Sequence, residues 1–301
     1  MILCVGEILA DMIGIKDGDR VSYERRAGGA PFNVACAAKR LGAKVGFYGA
    51  VGEDIIGDYL ISFAQSRQFD AGYVVRANGR NTTLAFVELD GRGERSFCFY
   101  RKNTADTLLP NLTDEELAAA DTVHIGSLML SEKSGMEYAQ TLADRAHALG
   151  KTVSFDVNFR TDIFKDRTSA ITAYKSILEK ADIVKFSDEE AEIFSQAYVD
   201  GLDCLVCMTL GARGSEWRYG GQKGVVRTLK VDPVDTTGAG DAFYAGVLTK
   251  LDGVKQDGYT KEILDGALKF GNVCGALNTL GRGAIDALPD IAAVERGAAI
   301  L

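Results

Sequence analysis

Two glycines one residue apart, an acid directly behind them and then an apolar pair make up DTTGAGDAF, Asp235 to Phe243. Through AGDAFYAGVLTKL, apolar residues recur at Ala242, Phe243, Val247 and Leu251, which is helical spacing on one face. The glycines therefore lie at a helix N terminus, where free N–H groups and the helix dipole favour an anion. Gly238 and Gly240 let the backbone approach that anion without hindrance from a Cβ. Asp241 falls in the same first turn, off the apolar stripe. Two readings of it stand. Either Asp241 stabilises the helix start, worth ~0.3–1 kcal/mol, or it is a general base that takes a proton from a hydroxyl while N–H groups hold a phosphoryl group in transfer. The stretch is not a Walker A loop, since the chain has no GxxxxGK. It is not GxGxxG either, because Phe243 fills the third glycine position.

Five other clusters could contribute chemistry. In RRAGGAPFNVACAAKRLG, Gly28 and Gly29 precede a helix that Pro31 opens, and Asn33 projects an amide from its first turn. That suits a polyhydroxyl ligand, or it is a glycine-rich turn with the amide in solvent. In GEILAD, Asp11 follows an apolar run and either accepts hydrogen bonds from sugar hydroxyls or is a surface acid in a turn. In SFDVNFR, Asp156, Asn158 and Arg160 alternate at the carboxyl end of a predicted strand and so share one face. In VKFSDEEAE, Ser187 is a helix N-cap with Glu190 at the capping-box position. In MTLGARGSEW, Gly211 and Gly214 flank a tight turn between strands.

The elements that must position these clusters follow from periodicity. Residues 2–9 read as a strand, 31–41 as a helix, and KVGFYGAV as a strand. YVVRA, TTLAFVELDG and ERSFCFYR read as strands, with DGRGE as a hairpin turn. After residue 120, strands TVHIGSL, TVSFDVNF, DIVKFS and CLVCMTLG alternate with helices at 132–149, 168–180 and DEEAEIF. The last third is helical at 239–252, 260–281 and 290–299. Such alternation predicts an α/β fold: a mostly parallel sheet covered on both faces, with ligands beyond the carboxyl ends of its strands. A small β-sheet insert is expected as a lid.

Composition narrows the function classes. The 301 residues are 47% apolar and 25% charged, ordinary for a soluble globular enzyme. A net charge of −8 argues against a general nucleic-acid surface. The first residues lack a basic region and are interrupted by Glu7 and Asp11, so they read as a strand and not a signal peptide. With no apolar run long enough for a bilayer, the expected location is the cytoplasm. Cys204 and Cys207 form a CxxC, but inside an apolar run with no second ligand pair, so buried structural thiols are expected.

Taken together and in this order, the clusters resemble the ribokinase-like (PfkB) carbohydrate kinases, through GGAPFNVACAAKRLG and DTTGAGDAF above all, and over nearly the whole chain from GEILAD to GRGAIDALP. The resemblance implies a single kinase domain over 1–301, with a β-sheet lid from strands around 12–26 and 72–103. It implies transfer of the γ-phosphoryl of ATP to a sugar hydroxyl, with Mg2+ and, as a further expectation, K+. It makes Asp241 the base and the N–H groups of Gly238, Ala239 and Gly240 the anion hole. Asp11, Gly28, Gly29 and Asn33 would hold the sugar, joined by Asp156 and Asn158. Lys185, Ser187, Thr209, Gly211, Gly214 and Gly240 would line the nucleotide site, with Asn272 near the adenine. Glu190 would reach magnesium through water, although Ser187 stands where the family motif has Asn. Potassium would sit near Asp235, Thr237 and Gly283. Within the family, AGGAPFNVA, NTTLAFVELDGRGERSFCFYR and SFDVNFR look most like fructokinases, and 2-keto-3-deoxygluconate kinases are the alternative. Both would bring Phe97, Phe99, Tyr100, Arg101 and Arg160 to the substrate. A nucleoside kinase and a non-catalytic sugar-binding regulator are weaker readings. The resemblance further implies a homodimer through the lid, with no nucleic-acid or membrane partner.

Overall fold

A computed structural model describes residues 1–89 and 95–301, with the side chains of 88–97 left undescribed. Its strands are β1 (Ile2–Val5), β2 (Leu9–Asp17), β3 (Arg20–Gly28), β4 (Val45–Gly52), β5 (Ala71–Ala77), β6 (Leu84–Leu89), β7 (Arg95–Tyr100), β8 (Thr122–Ile125), β9 (Thr152–Asp156), β10 (Ile183–Ser187), β11 (Leu205–Thr209), β12 (Ser215–Tyr219) and β13 (Gln222–Val226). The helices are α1 (Ala30–Arg40), α2 (Ile55–Ser66), α3 (Asp114–Ala118), α4 (Lys133–Ala148), α5 (Arg167–Leu178), α6 (Asp188–Phe194), α7 (Gln196–Asp200), α8 (Ala239–Leu251), α9 (Lys261–Asn278) and α10 (Ile291–Ile300). A nine-stranded sheet runs β13-β12-β11-β10-β9-β8-β1-β4-β5, parallel except for β12 and β13, and a four-stranded sheet runs β3-β2-β6-β7. No helix among the described residues is long and apolar enough to cross a membrane.

The large sheet is apolar on both faces, which explains the near-continuous hydrophobic runs of its strands. Alternation divides each strand between two cores. Leu3, Val5, Val153, Phe155, Val184 and Phe186 pack with α4, α5 and α6 on one side. Ile2, Cys4, Val45, Phe47, Ile183, Leu205 and Cys207 pack with α1, α2, α8 and α9 on the other. The two motif-bearing helices, α1 and α8, therefore lie in the same layer. Cys204 and Cys207 are buried free thiols of this sheet, matching the expectation from the sequence.

Most elements fall within a few residues of their sequence-based bounds, but four features differ. The apolar run at 2–11 is two strands: β1 ends at Val5, and Asp11 lies in β2 of the small sheet. Residues 71–77 leave the small sheet and pair in parallel with β4 at the edge of the large one. The expected lid segment 72–103 is thus divided between two sheets, because a two-residue alternation does not say which partner a strand will find. Third, the alternation of Asp156, Asn158 and Arg160 stops at Asp156, since Asn158 is left-handed at φ 36°. Fourth, α2, unanticipated, starts where Asp54 accepts the N–H groups of Ile56 (3.0 Å) and Gly57 (2.8 Å). The expected DGRGE turn falls largely outside the described residues.

Helix α8 is held against α9 by small residues. A Cβ at Gly271 would lie 2.7 Å from the Phe243 carbonyl oxygen and 2.8 Å from Val247 Cγ2, and one at Gly246 would lie 2.9 Å from Gly271 Cα. Gly271→Ala is expected to cost stability. An overpacking penalty of ~1–3 kcal/mol outweighs the helix-propensity gain of about 1 kcal/mol, because the obstructing atom is backbone. A lowered urea midpoint with an unchanged m-value is the expected result. An unchanged midpoint would mean the two helices separate freely.

Candidate active site

Gly238 adopts φ 74° to turn the chain into α8. The Ala239 N–H is directed at the Thr236 carbonyl (3.2 Å), so of the three expected anion-hole donors this one is already engaged. Across the layer, Gly29 adopts φ 111° at the start of α1, where a Cβ would stand 2.5 Å from the Glu7 carbonyl oxygen. This start places Asn33 in the first turn with its Nδ2 donating to Asp241 Oδ2 at 2.8 Å. The Asn33 Oδ1 has no hydrogen-bond partner among the described residues. Burial raises the Asp241 carboxyl above its ordinary range. The Asn33 hydrogen bond, and after it the charges of Lys185 and Arg160, pull it back.

Beneath the Gly-Ala-Gly turn lies a buried ion pair. Lys185 Nζ meets Asp156 Oδ1 at 2.8 Å and Oδ2 at 3.0 Å. A Cβ at Gly240 would touch Lys185 Cε and Nζ at 3.3 Å. Burial disfavours the Lys185 ammonium, but Asp156 and then Glu190 more than restore it, so it stays charged. The α8 N terminus thus has a fixed positive charge behind it. Glu190 forms the expected capping box with Ser187: its Oε2 accepts the Ser187 N–H (2.7 Å) and its N–H donates to Ser187 Oγ (3.1 Å). Its Oε1 accepts the Phe159 N–H at 2.7 Å, so one carboxylate ties α6 to the β9 loop.

The small sheet supplies the opposite wall. Asp11 faces Arg26 and Ala85 in adjacent strands, and Ala85 faces Phe99, so these four share one side. A Cβ at Gly28 would fall 2.1 Å from Asp11 Oδ2. Burial, and then the Asp241 charge, push the Asp11 carboxyl up to about 7, while Arg160 draws it down. Arg160 acts on Asp11 and Asp241 together, although the strand alternation expected to align it with Asp156 is broken. Phe99 packs with Leu9, Ala85 and Leu128. Tyr100 is 62% exposed on the outer side. The Arg101 side chain is buried with its Nε on Asp106 Oδ2 (2.6 Å) and Nη1 on the Ser131 hydroxyl, and its Nη2 has no hydrogen-bond partner among the described residues. The side chain of Phe97 lies outside the described residues.

The expected nucleotide residues line the far ends of β10 and β11. Thr209 ends β11, its hydroxyl donating to the Phe186 carbonyl (3.4 Å). Gly211 and Gly214 flank the turn before β12 at φ 56° and 100°. Asn272 is committed to the main chain. Its Nδ2 donates to the carbonyls of Val226 (3.0 Å) and Arg227 (3.1 Å), so its amide donors shape the loop after β13 instead of facing outward.

Residues 1–291 match the model of the pfkB family carbohydrate kinases. The chain belongs to this family. It is 34% identical to fructokinase-1 of Oryza sativa subsp. japonica, over 96% of this chain and 94% of that protein. Its fold superposes with a TM-score of 0.91 on the fructokinase of Xylella fastidiosa solved with bound ATP, at 32% identity, covering 98% of this chain and 97% of the other. A double mutant of the Vibrio cholerae O395 fructokinase, solved with fructose, ADP and potassium ion, gives a TM-score of 0.87 at 31% identity, covering 98% and 97%.

In this carbohydrate kinase, sequence reasoning missed Glu7. It lies between β1 and β2, beside the start of α1, at 1% exposure, and neither carboxyl oxygen has a hydrogen-bond partner elsewhere among the described residues. Burial pushes its carboxyl up to about 8 from an ordinary 4.5. Its own backbone N–H and Arg101 oppose the rise, and Asp106 and Asp241 add to it. A carboxyl raised on folding contributes stability below its unfolded value, and that contribution is lost as pH climbs through the folded value. Glu7→Gln, neutral throughout, is therefore expected to melt above the wild type by a margin that widens between about pH 5 and pH 8, by up to about 1.4 kcal/mol per pH unit, and levels off above pH 8. A margin flat in pH would show that Glu7 is ionised in the fold.

Proposed function

We propose that this kinase phosphorylates D-fructose with ATP, giving fructose 6-phosphate, and that Asp241 is the base that deprotonates the attacking hydroxyl. The observation that carries this reading is the Asn33–Asp241 hydrogen bond, which engages one carboxylate oxygen of a group close enough to Asp11 and Arg160 for their charges to act on one another. The N terminus of α8, backed by the Lys185 ammonium, is suited to the travelling phosphoryl group. ATP would lie along Thr209, Gly211 and Gly214, with its terminal phosphate at the Gly-Ala-Gly turn.

Magnesium fits the donor set on this side. Each Glu190 carboxylate oxygen accepts one backbone N–H and retains a lone pair for a metal-bound water. Glu190 would hold the ion through water, and the ion would supply positive charge against the phosphates. The chain's own part is to hold that water and to keep Lys185 charged.

Arg101 favours a neutral sugar over a keto acid. Of the two arginines expected at the substrate, Arg101 is already paired with Asp106, which leaves Arg160 to meet a substrate carboxylate. The small sheet supports the further proposal of a lid that also dimerises. Its outer face carries the row Tyr23, Phe86 and Tyr100, with ring centroids 5.0 and 5.1 Å apart.

A coupled assay of ADP release across D-fructose, D-ribose, nucleosides and 2-keto-3-deoxygluconate tests the substrate. Fructose is expected to lead in kcat/KM by about tenfold or more, and a lead by the keto acid would overturn the assignment. Asp241→Asn is expected to fold and bind sugar but to lose kcat by ~10²-fold or more. Turnover near the wild-type rate would remove Asp241 from the chemistry.

A further inference from the structure

The loop entering the Gly-Ala-Gly turn is where the sequence led us to expect potassium, and its oxygens are engaged by the protein itself. Asp235 Oδ1 accepts the Thr237 N–H (2.8 Å) and hydroxyl (2.6 Å), and Oδ2 accepts the Gly283 N–H (2.9 Å). The Thr237 carbonyl accepts Asn278 Nδ2 at 3.0 Å. A guanidinium also stands here. Arg26 Nη1 donates to the Arg282 carbonyl (3.0 Å) and to Asp286 Oδ2 (3.1 Å), while Nη2 meets both oxygens of Glu24 at 3.0 and 3.1 Å. Nη1 is so close to the main chain that a Cβ at Gly283 would lie 2.3 Å from it. The charge of Asp235 acts on Arg26 across this space, a cavity of about 110 Å³ whose walls include Arg26, Thr237, Gly283 and Asp286.

A monovalent ion at this place needs inward-facing oxygens with lone pairs to replace its water. The Arg282 carbonyl already serves a cation, and a second positive charge beside the guanidinium is repelled in a partly buried setting. A bound monovalent ion and the Arg26 guanidinium therefore compete for this place.

We infer that Arg26 is the internal cation of this loop: its guanidinium takes the place of a bound monovalent ion, joins the 282–286 loop to β3, and holds the Asp235 turn that starts α8. Arg26 is a positioning residue. It reaches the chemistry through Asp235 and the helix start, not by touching the sugar. The inference rests on the kinase activity of the family and not on the identity of the sugar.

The experiment replaces potassium with tetramethylammonium at constant ionic strength and follows ADP release with whichever sugar turns over fastest. The wild type is expected to change by less than about twofold between zero and about 100 mM K+. Arg26→Met, which keeps an apolar stem, is expected to lose about tenfold or more in kcat without K+, with K+ or guanidinium ion restoring most of the loss and tetramethylammonium none. Thermal unfolding gives a second readout: K+ should raise the melting temperature of Arg26→Met and leave the wild type unmoved. Tenfold activation of the wild type by K+, or a folded Arg26→Met rescued by neither ion, would overturn the inference. If no sugar supports turnover, the substrate reading fails, and the melting comparison still decides the role of Arg26.

Discussion

The hydrogen bond from Asn33 to Asp241 joins residues 208 positions apart, and the rest of the site is arranged around it. It requires α1 and α8 to start at the same height in the same layer. Gly29 and Gly238 set where those starts fall, and the packing of α8 on α9 fixes the depth of one of them. Burial raises the Asp241 carboxyl, and the Asn33 amide is the largest of the contacts that oppose that rise, ahead of Lys185 and Arg160. The amide therefore does two things with one contact: it orients the carboxylate and it favours the charged form.

Burial also has a cost that the fold meets differently at each polar group. Lys185 and Asp156 meet it as a close pair, and Arg101 and Asp106 as another. Glu7 has no such partner and is best accommodated as a neutral acid. These choices determine the field at the α8 N terminus, because the charge that survives nearest the turn is the Lys185 ammonium. A pair that were fully self-compensating would contribute little field. Here a Cβ at Gly240 would meet the ammonium at 3.3 Å, so its charge lies against the turn itself.

What the sequence made legible was local. Glycine and proline mark helix starts within a few residues, and helical periodicity in AGDAFYAGVLTKL is complete within one element, so DTTGAGDAF and GGAPFN could be read directly. Asp11 was harder. The apolar run before it is continuous because the end of β1 and the start of β2 are both buried, and nothing local marks where one sheet ends and the next begins. Lys185 interrupts an apolar strand and has meaning only once β9 brings Asp156 alongside. Asn272 had a plausible role from position alone, but its amide serves carbonyls 46 and 45 residues away. Glu7 gave no signal at all, since an acid after a strand looks like any other turn acid until its burial is known.

The small sheet is more than a cover, because its charges are not interchangeable with solvent. Asp11 and Arg26 lie directly opposite each other on β2 and β3, yet they serve different ends of the site. Asp11 faces Asp241 and Arg160, where a sugar hydroxyl would satisfy a carboxyl that burial has raised. Arg26 is on the same side, but its guanidinium reaches the 282–286 loop. Any movement of this sheet therefore changes two things together: the donors and acceptors around the sugar, and the positive charge that steadies the turn carrying Asp241. A substrate that fails to draw Asp11 inward would also leave Arg26 less well seated. Selectivity for the acceptor and readiness of the base are thus coupled through one pair of adjacent strands, with no need for a contact between the sugar and the Asp235 loop.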